Sequence, residues 1–375
     1  MTPRVRTGSA AWPGPGRLGA VALLALLAAA GVGAVSARAP MAKVAVFPVE
    51  NLSGGSAPVG EIRQAVIGRL AAAGVAVLGD DALEAFLARH RVRYTAGIDA
   101  ATAESLRREE GVDGVVFASL ELFSELAPPK VALTVRLVSI APAPVVVWAD
   151  DVGLAGDDAP GFLALGLVDD YQVLLSRALD RLSASLVAHL RTGEAAPVPE
   201  PASRFRPKMS YRNLAVEPGK TYSVAVVPFV NLSDRRNAGE ILALLFARHL
   251  SGFPQFRVVE AGVTRRQLLD ARIIMDGGPS LSDAETVASL VEADFVLGGR
   301  VLRYADYEGA DGRTSVDFST VLIERKSRRV VWSSSSYNEG SDGVRFFERG
   351  RSRTAHAMAT RMARLTAELL AGRDR

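Results

Sequence analysis

The sequence predicts an α/β protein, a tandem duplicated three-layer-like sandwich in which each copy runs β-α-β-α-α-β-β-β-α around a mixed sheet. Three observations predict it. First, Val44-Ala45-Val46-Phe47-Pro48-Val49-Glu50-Asn51-Leu52-Ser53 recurs 180 residues later as Val224-Ala225-Val226-Val227-Pro228-Phe229-Val230-Asn231-Leu232-Ser233. Gly60-Glu61-Ile62, Ala103-Glu104, Asp113 and Val147-Trp148 then meet their counterparts in the same order, at offsets of 179 to 184. A period this long belongs to tandem domains, not to a stack of small repeats. Second, the opening strands are almost continuously apolar, as strands covered on both faces are. Third, each copy closes with an apolar stripe at helical spacing: Leu175, Leu179, Leu182, Leu186 and Leu190, then Met358, Met362, Leu365 and Leu369.

The elements follow in order. Lys43–Pro48 and Tyr222–Pro228 open the copies as buried strands, each followed by a polar turn. Helices are expected at Val59–Ala72 and Ala238–Leu250, and short second strands at Val75–Leu78 and Phe256–Val259. Asp81…Glu84 and Thr264…Gln267 resemble capping boxes and place short helices at Asp81–His90 and Thr264–Ala271. Ser282-Asp283-Ala284-Glu285 caps a further helix at Asp283–Glu292, whose counterpart is Ala100–Glu110. Gly114–Leu122, Val131–Ser139 and Val145–Asp151 complete the first sheet, and Phe295–Tyr304, Thr314–Glu324 and Arg329–Tyr337 the second. Short polar connections such as Lys326–Arg328 make these last strands antiparallel hairpins.

The chain divides into a leader at 1–39, a first domain at 40–192, a proline-rich linker at 193–221 and a second domain at 222–375. The leader carries Arg4, Arg6 and Arg17, and then 18 residues, Leu18 to Val35, made only of Leu, Ala, Val and Gly. Two outcomes fit it: a signal peptide cleaved near Val35-Ser36-Ala37, or a retained signal anchor. Either way the arginines stay in the cytoplasm and the remainder crosses the inner membrane. The formal net charge of +3 equals the three arginines of residues 1–37, so the rest of the chain is neutral. That removes the electrostatic footprint of a nucleic-acid binder. Arg204, Arg206, Lys208 and Arg212, interleaved with Phe205 and Tyr211, read as a linker packed on a neighbouring domain.

A chemical site is hard to assemble from these residues. Cysteine is absent, which excludes disulfides, thiolate metal sites, cysteine nucleophiles and a lipidated cysteine. His90, His189, His249 and His356 sit in predicted helices, none at ligand spacing from another. There is no nucleophile elbow or phosphate-binding loop, and Gly277-Gly278-Pro279-Ser280 reads as a turn. The adjacent carboxylates Asp80-Asp81, Asp150-Asp151, Asp157-Asp158 and Asp169-Asp170 do not form a dyad held across a pocket, and Asp80-Asp81 and Asp157-Asp158 read as helix-start charges. No catalytic residue, metal or cofactor is expected. Candidate interaction residues remain: Asn51, Ser53, Asn231 and Ser233 in the equivalent polar turns, and Ser334 and Ser336 as exposed hydroxyls near the end of an edge strand able to accept a partner strand. Arg345, Arg349, Arg351 and Arg353 form a basic helix start on a solvated face.

The opening at 224–233, with Phe256-Arg-Val-Val-Glu260 and Ala293-Asp-Phe-Val-Leu-Gly-Gly-Arg300, resembles a bacterial envelope superfamily. Its members include the amino-terminal domain of TolB, the curli secretion protein CsgG and the lipoprotein activators of penicillin-binding proteins. The resemblance covers nearly all of 43–191 and 222–371. It implies a periplasmic interaction domain with no catalytic residues to transfer. This chain departs from it in lacking a cysteine to lipidate and a long hairpin insertion for a membrane barrel. The expected function is that of a non-enzymatic, periplasm-facing scaffold or accessory protein of an envelope assembly, transport or secretion system. Expected partners are envelope proteins, a second copy of the chain in a homo-oligomer, and the inner membrane if the leader is retained. Two alternatives stay open: a subunit of an oligomeric secretion channel, and an enzyme with its site in the inter-domain cleft.

Overall fold

The computed structural model of the chain describes residues 1, 41–158, 166–198, 203–214, 216–217, 219–272, 286–287, 289–306, 313–342 and 351–373. The leader's apolar run, the capping box at 282–285, the glycine-rich turn at 277–280, and Arg345 and Arg349 lie outside these residues.

The first sheet holds β1 (Lys43–Val46), β2 (Glu50–Asn51), β3 (Ala76–Val77), β4 (Gly114–Ser124), β5 (Lys130–Ser139) and β6 (Val145–Ala155). Its order is β3-β1-β4-β5-β6, with β2 beside β4. β1 is parallel to β3 and β4, while β4, β5 and β6 are antiparallel. The second sheet holds β7 (Met209–Arg212), β8 (Tyr222–Val226), β9 (Val230–Asn231), β10 (Phe256–Val258), β11 (Phe295–Ala305), β12 (Ser315–Glu324) and β13 (Arg329–Glu339). Its order, β10-β8-β11-β12-β13-β7 with β9 beside β11, matches the first sheet with one strand added. Both sheets are mixed, and the architecture is the α/β sandwich the sequence predicts.

Among the described residues, α1 (Val59–Ala72), α2 (Asp80–Arg89), α3 (Ala100–Glu110) and α4 (Tyr171–Thr192) accompany the first sheet. α5 (Ala238–Ser251), α6 (Ala261–Asp270) and α7 (Ala355–Leu370) accompany the second. Asp99 caps α3 by accepting from the Ala101 and Thr102 amides, and Gly111 ends it in the left-handed region at φ 64°. The two short helices start earlier than their side chains foretell. α2 begins at Asp80 after Gly79, with no side-chain cap, and α6 begins at Ala261, leaving Thr264 buried inside it. Asp157-Asp158 is not a helix start: it follows β6 in a turn, where Asp158 accepts from the Ala155 amide at 2.8 Å and Asp157 lies 3.4 Å from Arg353.

Residues 40–375 form one compact unit. α1 and α4 cover one face of the first sheet, burying Ile62, Val66, Leu179 and Leu186 against Val46, Leu133 and Trp148. The opposite face of that sheet packs against α5 and α7, which also pack on the second sheet. These two helices therefore lie between the sheets, and one core cluster runs from Phe47, Phe86 and Phe117 to Phe229, Phe246, Phe318 and Trp332. This position explains α5. A helix with one exposed face needs a single apolar stripe, but α5 buries Ile241, Leu242, Leu245, Phe246 and Leu250, and Arg248 and His249 besides.

The proline-rich segment contributes to the sheet. Phe205 is buried, and Met209–Arg212 pairs antiparallel with β13, opposing Trp332 to Ser335. Strand β13 is thus not the edge, which corrects the placing of Ser334 and Ser336. Both are buried, on the alternating positions that also carry Trp332 and Asn338. Trp332 Nε1 donates to Thr320 Oγ1 at 2.9 Å, and Thr320 Oγ1 meets Ser334 Oγ at 2.6 Å. Thr320 thus satisfies the buried indole and Ser334 bonds Thr320, where Ser334 was expected to greet a partner strand.

Candidate functional site: a buried ionic seam between the sheets

Where α5 and α7 meet the first sheet, the interface turns polar. Apolar alternation along β4, β5 and β6 is interrupted at Ser119, Glu121, Thr134, Arg136, Asp150 and Asp151, all buried. A β-bulge between Leu120 and Leu122 sets Glu121 outside the regular pairing. Its carboxylate accepts from Thr134 Oγ1 at 2.6 Å and meets Nδ1 of His356, in the first turn of α7, at 2.5 Å. Nε2 of the same ring meets Asp151 Oδ2 at 3.0 Å. An imidazole between two carboxylates satisfies both only as the imidazolium, which donates from both nitrogens. Burial alone would lower the His356 pKa, but the Glu121 charge and the hydrogen bonds to Asp151 and Glu121 outweigh it and raise it to about 10. Gly153 makes the approach feasible: a Cβ there would lie 2.6 Å from His356 Cδ2.

Arg248, on α5, continues the seam. Its Nη2 donates to Asp150 Oδ1 at 2.9 Å, and its Nε lies 2.6 Å from Asp151 Oδ1. Burial works against the Asp151 charge, but Arg248 and His356 hold its carboxyl far below the usual carboxylate range. Burial raises Asp150, with Arg248 opposing it. His249 Nε2 meets Thr360 Oγ1 at 2.8 Å and its Nδ1 lies 3.1 Å from Arg248 Nη1. Burial, then the Arg248 charge, lowers the His249 pKa well below the ordinary imidazole value, so this ring is neutral.

A second ion pair bridges the sheets farther along. Arg136 and Glu260 are both buried and meet at 3.3 Å, and Arg136 also donates to the Ala96 carbonyl and lies 4.7 Å over the Phe117 ring. Here the backbones touch: a Cβ on Gly262 would lie 2.3 Å from the Ile98 nitrogen.

The polar turns sit at the rim. Asn51 Oδ1 accepts from the Ser53 amide at 3.0 Å and its hydroxyl at 2.6 Å, and Asn231 treats Ser233 the same way at 3.1 and 2.7 Å. The structure brings the two turns together: Arg235 donates to the Ser53 carbonyl at 2.7 Å and Asn237 to the Leu52 carbonyl at 3.3 Å. Asn51, Ser53, Asn231 and Ser233 are thus joined at one edge of the interface, while Ser334 and Ser336 lie inside the second sheet. Asn231→Ala removes the local turn bonds and is expected to cost about 1 kcal/mol, read as a shift in the urea midpoint at constant slope.

Chemically the seam holds charges in place. Both His356 nitrogens are engaged by carboxylates, which leaves the ring no lone pair for a metal, and among the described residues no group of three or more His, Asp or Glu is arranged to hold one. The pair Asp150-Asp151, read from the sequence as merely adjacent, proves to be a partner of Arg248 and His356. Among the described residues no helix is long and apolar enough to cross a membrane.

No protein-family model matches the chain. No curated protein matches it. Solved structures do, over part of its length. It is similar to PelC from Paraburkholderia phytofirmans, solved as a dodecamer, at 20% identity over 42% of this chain and 95% of that one, with a TM-score of 0.30. It is similar to lipoprotein GNA1162 from Neisseria meningitidis at 17% identity over 39% of this chain and 99% of that one, with a TM-score of 0.28. The C-terminal domain of LpoB from Escherichia coli matches at 18% identity over 32% of this chain and 87% of that one, with a TM-score of 0.24. Scores this low carry nothing about activity.

Proposed function

We propose that the protein is a non-enzymatic, periplasm-facing accessory or scaffold protein of a bacterial envelope system, and that its contact surface is the outer face of the second sheet. The leader's arginines and apolar run support the compartment. One contrast between the sheets carries the contact surface. In the first sheet the cross-strand row Ser119–Thr134–Asp151 is buried beneath α5 and α7. In the second sheet the matching row, Arg300–Ser319–Ser335, continues onto Met209 of the added strand, and the next row is Arg303–Asp317–Tyr337. Arg300, Arg303 and Ser335 are exposed, and so are Met209, Tyr211, Leu302 and Tyr337.

Exposed apolar side chains grouped on one sheet face, rimmed by charge, mark a contact surface. The chain itself displays what fits such a face: a pair of helices. A second copy is a poor occupant, because the layer it would offer is polar outside, with Arg177, Asp180 and Arg181 on α4 all exposed. The two arginines against Asp317 leave the face net positive. The occupant proposed is therefore an amphipathic helix of a different envelope protein, its apolar stripe flanked by acidic residues.

Leu302→Glu and Tyr211→Glu change exposed positions, so thermal midpoints stay near that of the parent. Quantitative co-purification from envelope fractions is expected to lose one specific protein in both variants, while sedimentation shows the parent monomeric. Equal recovery from parent and variants, or self-association abolished by either substitution, overturns the assignment.

A further inference from the structure

The two sheets carry the same β-bulge. In β4, pairing with β5 runs regularly from Gly114 to Leu120 and resumes at Leu122. In β11, pairing with β12 runs regularly from Phe295 to Val301 and resumes at Arg303. Leu302 is thus the counterpart of Glu121, and by the same register Ser335 is the counterpart of Asp151 and Tyr337 of Gly153. In the first sheet these three positions receive one side chain, His356 in the first turn of α7. The chain therefore shows, on its own first sheet, how a helix is held at this bulge.

The second sheet keeps the backbone of that socket and changes each of its side chains. One carboxylate gives way to Leu302, 48% exposed, and the other to an exposed serine hydroxyl. A cation there would find no carboxylate at either place, and Arg300 and Arg303, standing where Ser119 and Leu122 do in the first sheet, would repel it. The space closes as well. A Cβ on Gly153 would already lie 2.6 Å from His356 Cδ2, and Tyr337 puts a whole phenol at that position. Asp317 replaces Ala132 in the cross-strand row that holds Tyr337. A carboxylate in that row suits the N-terminal end of a helix.

We infer that the partner's helix docks on the second sheet in the pose that α7 takes on the first, its first turn over the Leu302 bulge and a small apolar residue where α7 carries His356. This rests on the contact surface proposed above. It adds the end of the helix that is read, its register on the sheet, and the residues that select it.

A photo-crosslinking amino acid at Leu302, with the adduct digested and sequenced by mass spectrometry, tests this. The crosslink is expected within the first turn of a partner helix. A crosslink to a strand, a loop, or the middle or C-terminal end of a helix overturns the inference and leaves the contact surface standing. No adduct overturns both. The purified partner then allows an exchange of specificity. Leu302→Glu, Ser335→Asp and Tyr337→Gly together rebuild the first sheet's socket on the second, and all three positions are exposed. Histidine in place of the partner's small residue is expected to raise affinity for this variant about tenfold and to lower affinity for the parent by about the same factor. Isothermal titration at pH 6, where the imidazole is charged, measures both, and the thermal midpoint verifies that the variant folds. Equal affinity of the original and the histidine-bearing partner for the rebuilt socket overturns the inference.

Discussion

His356→Ala is expected to destabilise the protein by about 3–5 kcal/mol, the cost of leaving buried carboxylates without their cation. Among the described residues the imidazolium is the cation that meets the Glu121 carboxylate, and it shares Asp151 with Arg248. Urea denaturation at pH 7 measures the loss. The same side chain fixes the alkaline behaviour. Its folded pKa is raised above the unfolded value, so its stabilisation is complete below about pH 6.5 and fades as pH rises through about 10. The parent should therefore lose stability across that window, and His356→Gln should flatten the profile. A parent whose midpoint is constant from pH 6.5 to 10 would contradict the imidazolium assignment. Asp151 has the opposite sign: with its pKa held low, its contribution is present above the ordinary aspartate range and survives well into acid.

Arg248→Met should cost a similar amount, about 3–5 kcal/mol, because Asp150 and Asp151 are then adjacent, buried and without their guanidinium. The variant that adds Asp150→Asn and Asp151→Asn should recover part of that stability, since neutral amides remove the repulsion. A double-mutant cycle should report a coupling of about 1–3 kcal/mol. Additive effects would show that Arg248 acts through packing alone. Because the seam joins the two sheets, both single variants should unfold in one transition. A separate early transition of either half would mean that the shared core does not couple them.

Much of the fold was legible because it rests on local patterns. The apolar runs at Val44 and Val224 and the stripes of α4 and α7 each follow from a few neighbouring residues, and α3 follows from its place in the repeat. Capping was less so. Thr264…Gln267 has a capping box's letters, yet Thr264 is buried inside α6 because Glu260, drawn to Arg136 of the other sheet, fixes where that helix begins. Ser334 and Ser336 misled for a similar reason. Their burial depended on which face of β13 turns to the core with Trp332, and the strand that keeps β13 from being an edge comes from a segment whose prolines read as a linker.

The ionic seam was the least legible part. His356 lies 235 residues from Glu121 and 205 from Asp151, beyond any spacing rule. A signal existed nonetheless. Arg136 and Glu121 interrupt otherwise apolar strands, where a charge is tolerated only with a partner, and α5 is too apolar for a helix with a solvated face. Together they announce that something packs on the other side of the first sheet. They do not say that it is the second half of the same chain.

The outer face of the second sheet is the centre of the functional account, and a photo-crosslinking amino acid placed at Leu302 in living cells tests it most directly. The account expects one specific crosslinked adduct with a different envelope protein, joined through a helix of that partner, and none from the same group at Arg177 on the polar outside of α4. Adducts of equal yield from both positions, or none from Leu302, would contradict it.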